Sequence, residues 1–363
     1  MLLRNEDFMS NYHVDQSIEY VDKTRDILEE LPDFFGAYFR AIAPRTEAKT
    51  RYNYAVDLRT FLFFLSQNNP LLKGKKISNI TEKEFASLLA DDIEEYLEYL
   101  SYYKDANGVI RNNTESGLSR KLSCLRSVYG YYVKKKHPII RYNPAAAVDM
   151  PKHHKKDIIY MNTEEIEDFI TCVGNYEKIL EEKNPHQLRY YLKTKYRDIA
   201  IIVLILGTGM RVSECAGINI NDLNFKENAV LVTRKGGKVQ QLYFNDNVAD
   251  ALQDYIQIER NQLEEKAVDK APLFYSMQKK RMTVRSIEKM VKKYAEEAVP
   301  LKHITVHKLR SSYGTELYDN SGDLYLTAEA LGHESMNTTK HYANMSQKRR
   351  MSARKYINHR TDV

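Results

Sequence analysis

The chain has 363 residues, 43% of them hydrophobic and 11% aromatic, which suits two domains with sizeable cores and excludes a wholly disordered protein. Its net charge of +6 leans towards polyanionic partners without by itself identifying a nucleic-acid-binding protein. The longest apolar run, Ile199 to Leu206, has eight residues against the roughly 20 that cross a bilayer, so we expect no membrane span and no membrane partner.

The N-terminal residues and the cysteines indicate a cytoplasmic location. Glu6 and Asp7 introduce acidic groups before the apolar core of a signal peptide could form, so we expect no export. Cys124, Cys172 and Cys215 are scattered without a CxxC pair, which gives neither a disulfide framework nor a thiolate metal site. These features are typical of a reducing compartment.

The first part of the chain is predicted to be helical throughout. Apolar residues recur at steps of three and four from Arg45 to Leu62 and from about Thr114 to Val133, so each stretch forms a helix with one apolar face. Residues 81–100 also follow a helical pattern, but their outer face is acidic, and residues 1–30 are amphipathic without an assigned role. The pattern predicts a small helical bundle with basic side chains outside.

A basic segment that contains several prolines follows this bundle. Pro138, Pro144 and Pro151 lie within it, and proline interrupts helices and stiffens a chain. Its basic residues are Lys134, Lys135, Lys136, Arg141, Lys152, Lys155 and Lys156. We interpret the segment as a linker, which is either a solvated hinge or a stretch that crosses a phosphate backbone.

After the linker, helical patterns are interrupted by one β-hairpin. Residues 229–233 and 239–244 are β-prone, and they flank a five-residue connection that runs from Arg234 to Lys238 and contains two glycines. The sequence therefore predicts a hairpin with a cationic tip.

Several residues of this second region suit phosphate chemistry. Arg211 follows glycines at a predicted helix start, where its guanidinium and the free backbone N–H groups suit phosphate oxygens, although a capping arginine is the alternative. Glu214 is equally suited to orient catalytic side chains or to cap the helix. His307 and Arg310 lie one helical turn apart, which suits charge neutralisation and proton transfer but is also common on exposed helices.

The order and spacing of these residues are more specific than any one of them. His333 follows Arg310 by 23 residues, and Tyr342 follows His333 by nine. Together with Arg211 and the hairpin residue Lys235, this order resembles that of the tyrosine site-specific recombinases, the phage integrase family. The resemblance covers about residues 30–350. In the second region it is carried by the motifs GTGMRVSE, HKLR, LGHES and HYANM. In the first region, TRYNYAVDLRTFLFFL and SRKLSCLRSVYGYYV look like the main helices of the family's core-binding domain.

The resemblance implies a mainly α fold with a small antiparallel β-sheet, in which a helical core-binding domain and a mixed catalytic domain close around DNA as a C-shaped clamp. The implied divisions are an N-terminal extension at 1–30, a helical DNA-binding domain at 31–137, a basic linker at 138–157, a catalytic domain at 158–345 and a tail at 346–363. In relatives such a tail is a helix that packs on a neighbouring subunit, and a frayed basic end is the alternative.

The resemblance also implies how the DNA strand is cut. Tyr342 would attack a phosphodiester and hold the DNA as a 3′-phosphotyrosine. Arg211 and Arg310 would bind the non-bridging oxygens, on which negative charge increases as the phosphorus becomes five-coordinate, and His333 would donate to the same oxygens.

Two further residues are implied to move protons. Lys235 would protonate the departing 5′-hydroxyl, with Lys238 as the nearby alternative, and His307 would assist proton movement at the tyrosine. A phosphotyrosine retains the energy of the broken bond, so rejoining needs no nucleotide triphosphate, and the sequence carries no P-loop. We expect no cofactor and no metal, since carboxylates with metal-ligand spacing are lacking and His153 and His154 are more simply a solvated basic pair.

The expected partner is double-stranded DNA. Candidate contacts, chosen for their charge or their place on the bundle, the linker or the hairpin, are Arg45, Thr46, Arg51, Arg120, Lys121, Arg126, Lys134, Lys135, Arg141, Lys152 and Lys238. The resemblance implies a homotetramer on two DNA sites and a monomer or dimer in isolation, located in the bacterial nucleoid, and it leaves room for a directionality factor.

We interpret the chain as a site-specific DNA recombinase, either the integrase or transposase of a mobile element or a Xer-type resolvase. One alternative is a type IB topoisomerase, which relaxes supercoils as a monomer by the same phosphotyrosine chemistry. Another is a catalytically inactive DNA-binding regulator on the same scaffold. The predicted bundle and the tail after Tyr342 favour recombination, and six matching polar positions argue against loss of catalysis.

Overall fold

The computed structural model describes residues 11–104, 108–152, 159–265, 267, 269, 271–333 and 339. The chain divides into two compact units, and the division falls between Lys155 and Lys156. Within the described ranges, no helix combines the length and the apolar character that a bilayer span requires.

Over residues 11–104 and 108–152, the first unit is helical apart from one two-stranded sheet. The sheet pairs β1 (Tyr103–Lys104) with β2 (Ile110–Arg111) in antiparallel fashion. The helices are α1 (Asn11–Glu30), α2 (Phe35–Ile42), α3 (Ala48–Asn68), α4 (Glu82–Ala86), α5 (Ala90–Tyr99), α6 (Glu115–Lys134) and α7 (Pro144–Ala147).

The core of the first unit forms where the apolar faces of α3 and α6 meet the surrounding helices. Phe61 and Leu62 of α3 and Leu125 of α6 are buried, because spacings of three and four residues place them on the inner faces. The rings of Tyr129 and Phe85 stack with centroids 4.4 Å apart, and the Tyr129 hydroxyl donates to the Phe85 carbonyl oxygen at 2.9 Å. This packing fixes α6 against α4.

Two segments outside the predicted bundle contribute to the same core. Helix α1 buries Ile27, and the proline-containing segment buries Ile140 and Val148. Arg126 of α6 ties that segment down, since its guanidinium donates to the carbonyl oxygens of Ala145 and Val148. The first half of the segment that reads as a linker in the sequence therefore packs in the first unit, because its apolar side chains are buried there.

The second unit is also mostly helical and carries the predicted hairpin. Its sheet has the order β3 (Leu223–Asn224), β4 (Ala229–Thr233), β5 (Val239–Tyr243), all antiparallel, with Thr233 opposite Val239 at the hairpin end. Its helices are α8 (Thr163–Gly174), α9 (Tyr176–Lys183), α10 (Pro185–Leu192), α11 (Lys195–Thr208), α12 (Val212–Gly217), α13 (Asp246–Tyr255), α14 (Asn261–Glu264), α15 (Val284–Ala298), α16 (Val306–Ser321) and α17 (Leu324–Leu331), with a π-helical turn (Ile256–Arg260) between α13 and α14.

Helix α11 is the central element of this unit. Ile201, Leu204 and Ile205 are fully buried, and the helix packs against α8, α13 and α16. An apolar helix buried on most sides fixes where its C-terminal end lies, and that end leads directly into Arg211. The mostly helical architecture with small antiparallel sheets confirms the predicted fold class.

The helix predicted over residues 81–100 is in fact two helices, α4 and α5. The Glu84 N–H donates to the Thr81 hydroxyl at 3.3 Å where α4 begins, and the Leu89 N–H donates to Asp92 Oδ2 at 2.8 Å where α5 begins. Each of these side chains accepts a hydrogen bond from a backbone N–H group at the start of a helix. The helical pattern is therefore interrupted between Ala86 and Ala90.

Candidate active site

Arg211 lies where a buried helix ends and a short one begins. Helix α11 ends at Gly209, which adopts a φ of +62°, and α12 begins at Val212. The Arg211 N–H donates to Glu214 Oε2 at 2.8 Å, and its Nη1 donates to Glu214 Oε1 at 2.8 Å. Glu214 thus closes the start of α12 and also orients the Arg211 guanidinium, whose side chain remains 37% exposed.

Arg310 comes from α16, and its guanidinium lies among backbone carbonyl groups. Its Nη1 donates to the Gly209 carbonyl oxygen at 2.6 Å, and its Nη2 donates to the carbonyl oxygen of Leu331. Arg211 reaches the same region, since its Nη2 donates to the Gly332 carbonyl oxygen at 3.4 Å. The two arginines therefore meet at the ends of α11 and α17.

His333 follows directly after α17 ends. Gly332 adopts a φ of +59°, and the His333 N–H donates at 2.9 Å to a carbonyl oxygen in the last turn of α17, a common way for a helix to end at glycine. The ring Nδ1 lies 2.9 Å from Thr339 Oγ1. Burial, together with the cations of Arg310 and Arg211, lowers the pKa of His333 to about 4, so the ring is neutral at pH 7.

His307 lies one turn before Arg310 on α16 and is exposed at the mouth of the site. Although part of the side chain meets solvent, desolvation of the ring by the surrounding protein and the neighbouring cations of Lys308 and Arg310 lower the pKa of His307 below its ordinary value. A neutral imidazole is able to accept a proton, and here it lies beside the guanidinium groups of Arg211 and Arg310.

A groove of about 670 Å³ opens beside these residues. Helix α15 forms one wall of it. Its cationic and imidazole lining consists of Arg211, Arg285, Lys289, Lys292, His303, His307 and Arg310, and the carboxylate in the lining is that of Glu288. The excess of positive charge makes the groove suited to a polyanion.

The second unit also matches a known protein family. Residues 161–349, more than half of the chain, match the model described as "Phage integrase family". The chain belongs to this family. It is a tyrosine site-specific DNA recombinase, an enzyme that cleaves and rejoins DNA, as the order of its motifs predicts.

Two relatives of this recombinase are similar over most of their length. It is 30% identical over 328 residues to "Tyrosine recombinase XerC" of Caldanaerobacter subterraneus subsp. tengcongensis, with 88% of the chain and 83% of the relative covered. It is 28% identical over 347 residues to "Tyrosine recombinase XerS" of Streptococcus pneumoniae, with 90% and 95% covered. The fold is that of the solved XerH recombinase bound to a palindromic difH substrate after cleavage, with a TM-score of 0.62, 20% identity and 98% and 91% of the two chains covered.

The structure brings together four of the six residues that the sequence predicts to be catalytic in this recombinase. These are Arg211, His307, Arg310 and His333. For Lys235 the structure describes the backbone, which lies in a 3₁₀ turn at the tip of the β4–β5 hairpin, and not the side chain. Tyr342 and the tail at 346–363 lie outside the described residues.

Two sets of residues at the site were missed in the sequence. Arg285, Lys289 and Lys292 repeat at steps of four and three on α15, a periodicity that places them on one face and could have revealed them. Arg234 gave no such signal, because its importance depends on contacts with residues distant in the chain. Its guanidinium contacts Glu214 and the end of α17.

The candidate DNA contacts outside the active site differ in accessibility. Lys121 is 5% exposed, and its Nζ pairs with Asp57 Oδ1 at 2.9 Å, so the prediction that it contacts DNA is corrected to an internal ion pair. Arg126 and Arg51 are partly buried and donate to backbone carbonyl oxygens of the first unit, and Thr46 is partly buried. Exposed side chains are found at Arg45, Arg120, Lys134, Lys135, Arg141, Lys152 and Lys238.

Proposed function

We propose that this recombinase cuts one DNA strand with Tyr342 and retains it as a 3′-phosphotyrosine at the pocket formed by Arg211, Arg310 and His333. The observation that supports the proposal is the meeting of both guanidinium groups at the carbonyl oxygens that end α17. A five-coordinate phosphorus carries extra negative charge on its non-bridging oxygens, and donors that are already in place stabilise it without reorganisation.

The two arginines differ in how they would serve the phosphate. Arg310 is 3% exposed and held by two carbonyl oxygens, so it provides a fixed positive charge at the base of the pocket. Arg211 is more exposed, and its Nη2 makes only a long contact of 3.4 Å to Gly332, which a phosphate oxygen could replace. The planar fork of arginine suits two oxygens of one phosphate.

His307, His333 and Lys235 would handle protons and the remaining charge. His333 is neutral at pH 7, and we propose that its imidazole donates to a phosphate oxygen. We assign proton transfer at the tyrosine to His307 and protonation of the leaving 5′-hydroxyl to Lys235, with Lys238 as its neighbour on the same hairpin.

The proposed path of the DNA follows the positive charge of each unit. In the second unit it runs through the groove lined by α15 and α16. In the first unit the proposed contacts are the exposed cations, and Lys121 is not among them because it is buried. We propose that the core-binding domain extends beyond the predicted 31–137 to include α1 and the first half of the predicted linker at 138–157, since Ile27, Ile140 and Val148 lie in its core. The catalytic domain is proposed at 158–345 and the tail at 346–363.

We propose that the chain is a Xer-type recombinase rather than a mobile-element enzyme, and its similarity to XerC and XerS over most of its length supports this proposal. We propose that four copies join two duplex sites, that the tail at 346–363 couples neighbouring subunits, and that the enzyme works in the cytoplasm at the nucleoid. Rejoining would need no nucleotide or metal.

The proposal is tested by trapping covalent complexes on sheared genomic DNA from the source organism. After denaturation in detergent, the wild-type chain should carry DNA fragments that map to a discrete site. Tyr342→Phe should yield no covalent fragments while still retarding duplex DNA in a gel. Tyr325→Phe is the matched control, since this tyrosine is 75% exposed on α17, and it should trap DNA like the wild type.

Three outcomes would count against the proposal. Adducts that persist in Tyr342→Phe would place the nucleophile elsewhere. Fragments that map to the ends of a mobile element would replace the Xer assignment with that of an integrase or transposase. Relaxation of supercoiled plasmid by a monomer, without a preferred site, would indicate topoisomerase activity instead.

A further inference from the structure

Arg234 is a buried arginine that contacts three parts of the active site. It is 7% exposed, and its Nη1 lies 3.2 Å from Glu214 Oε2 and 3.2 Å from the Leu331 carbonyl oxygen. Its Nη2 donates to the Ala330 carbonyl oxygen at 3.1 Å, and its Nε donates to Gln240 Oε1 at 2.9 Å. All three guanidinium nitrogens are thus bonded within the protein, which leaves this side chain in a fixed position.

The first consequence concerns the charge on Glu214. This carboxylate is 3% exposed and is shared by two guanidinium groups, those of Arg211 and Arg234. A buried carboxylate paired with Arg211 alone would cancel the charge that Arg211 offers to a phosphate. With Arg234 present, the group of three side chains keeps a net charge of +1, since two cations face one anion.

The second consequence concerns the position of His333. Arg234 donates to the last two carbonyl oxygens of α17, at Ala330 and Leu331, and the helix then turns at Gly332 into His333. A Cβ atom added at Gly332 would lie 2.9 Å from Arg234 Cζ, so the guanidinium lies directly against this turn. Cationic donors at a helix C-terminus also stabilise its exposed carbonyl groups.

The third consequence concerns the hairpin. Arg234 is the first residue of the five-residue tip, and its backbone N–H donates at 2.7 Å to the carbonyl oxygen of Lys238, the last. Gln240, on the opposite strand, accepts from its side chain. The base of the tip that carries Lys235 is therefore attached to the same guanidinium that contacts Glu214 and α17.

We infer that Arg234 is a positioning residue that holds Glu214, the end of α17 and the base of the hairpin in one arrangement, and that its charge leaves Arg211 free to bind phosphate. The inference rests on the proposed function, because it assumes that Arg211 and His333 bind the scissile phosphate. Arg234 itself does not contact the reacting atoms in this arrangement.

The test compares Arg234→Met with the double variant Arg234→Met/Glu214→Gln. Single-turnover cleavage is measured on a nicked duplex that carries the genomic site trapped by the wild-type chain. Arg234→Met removes the charge and should slow cleavage about 100-fold, as small displacements of catalytic groups do, while DNA affinity changes little. Adding Glu214→Gln restores the net charge of +1 and should raise the cleavage rate about tenfold above that of Arg234→Met. An interaction of this size is usual between residues in one network.

This recovery separates the inference from a purely packing role for Arg234. If the side chain only filled space, removal of the Glu214 charge would bring no recovery, and that result would overturn the inference. The matched control is Arg197→Met, because Arg197 is also buried and pairs with a carboxylate, Asp198, and a carbonyl oxygen, that of Tyr275. Arg197→Met should lower the free energy of unfolding, and adding Glu214→Gln should not restore it.

Arg234→Lys covers the case in which Arg234→Met does not fold. Lysine keeps the charge but lacks the planar fork of arginine, so the cleavage rate should fall. Because no charge is lost, adding Glu214→Gln should not restore the rate. Recovery of the cleavage rate in that pair would contradict the electrostatic part of the inference.

The proposed function and the inference about Arg234 fail in different ways. If the wild-type chain forms no covalent adduct at all, the proposed function fails. If it does form the adduct and Arg234→Met cleaves at the wild-type rate, only the inference about Arg234 fails.

Discussion

The Arg310 guanidinium donates a hydrogen bond of 2.6 Å to the carbonyl oxygen of Gly209, a residue that lies 101 positions earlier in the chain. Gly209 ends α11 in the left-handed conformation, and a Cβ atom at this position would lie 2.2 Å from Tyr313 Cδ1. The end of α11, the Arg310 guanidinium and the Tyr313 ring are therefore packed together in a space that only glycine at position 209 leaves open.

Gly209→Ala should destabilise the second unit and displace Arg310. The left-handed conformation costs a residue with a Cβ about 1–2 kcal/mol, and the contact with Tyr313 adds about 1–3 kcal/mol of overpacking. The free energy of unfolding, measured by urea denaturation, should fall by the sum of the two. Adduct formation should fall as well under conditions in which the variant is folded.

Gly74→Ala is the matched control for this prediction. Gly74 has a φ of +78°, but a Cβ atom there would have no heavy atom within 4 Å. It should therefore show the conformational cost alone and form adducts normally. Equal losses of stability in the two variants would mean that the contact with Tyr313 contributes nothing.

The α15 cations should contribute to DNA affinity. Arg285→Gln/Lys289→Gln removes two charges from the groove, so binding of a duplex should weaken. The slope of log affinity against log salt should become shallower by about 0.9 for each DNA phosphate that the variant no longer neutralises. The measurement is fluorescence anisotropy with a labelled duplex over a range of salt concentrations.

Lys178→Gln/Lys193→Gln is the control for overall charge. Both lysines are exposed in the second unit and do not line the groove. The net charge changes by the same amount, but the salt slope should remain close to that of the wild type. A similar decrease of slope in both double variants would show that net charge, rather than the groove, governs binding.

His333 should make DNA binding depend on pH. In the free protein its pKa is lowered to about 4, whereas an unfolded histidine titrates near 6.5. Bound phosphate adds negative charge beside the ring and raises its pKa, so the complex binds more protons than the free protein. Affinity should therefore increase as the pH falls from about 7 towards 5, at constant ionic strength, and the free protein should lose stability over the same window.

His333→Gln should abolish most of this pH dependence, because glutamine still forms hydrogen bonds but does not titrate in this range. His303→Gln removes an imidazole that lines the groove and should leave the contribution of His333 intact. The measurement is anisotropy on the Tyr342→Phe background, which keeps the complex non-covalent. A pH slope that survives in His333→Gln and disappears in His303→Gln would show that the proton binds to His303 instead.

Much of the fold and the family follow from the sequence alone. Helical spacing predicts α3 and α6, the β-prone runs predict the β4–β5 hairpin, and the order of Arg211, Arg310 and His333 with the motifs around them identifies a recombinase. Such features are local in the chain or repeat at fixed intervals, so they can be read before any folding is known.

Other features were decided by tertiary structure. Lys121 looks like an exposed cation on α6, but Asp57 of α3 draws it into the core. The apolar residues of the proline-containing segment pack in the first unit. Arg234 appears in the sequence as one more cation of a hairpin tip, yet its guanidinium lies between Glu214 and α17. Spacing along a chain reports which face of an element a residue occupies, whereas burial and pairing depend on which other element packs against that face, and only the folded chain sets those distances.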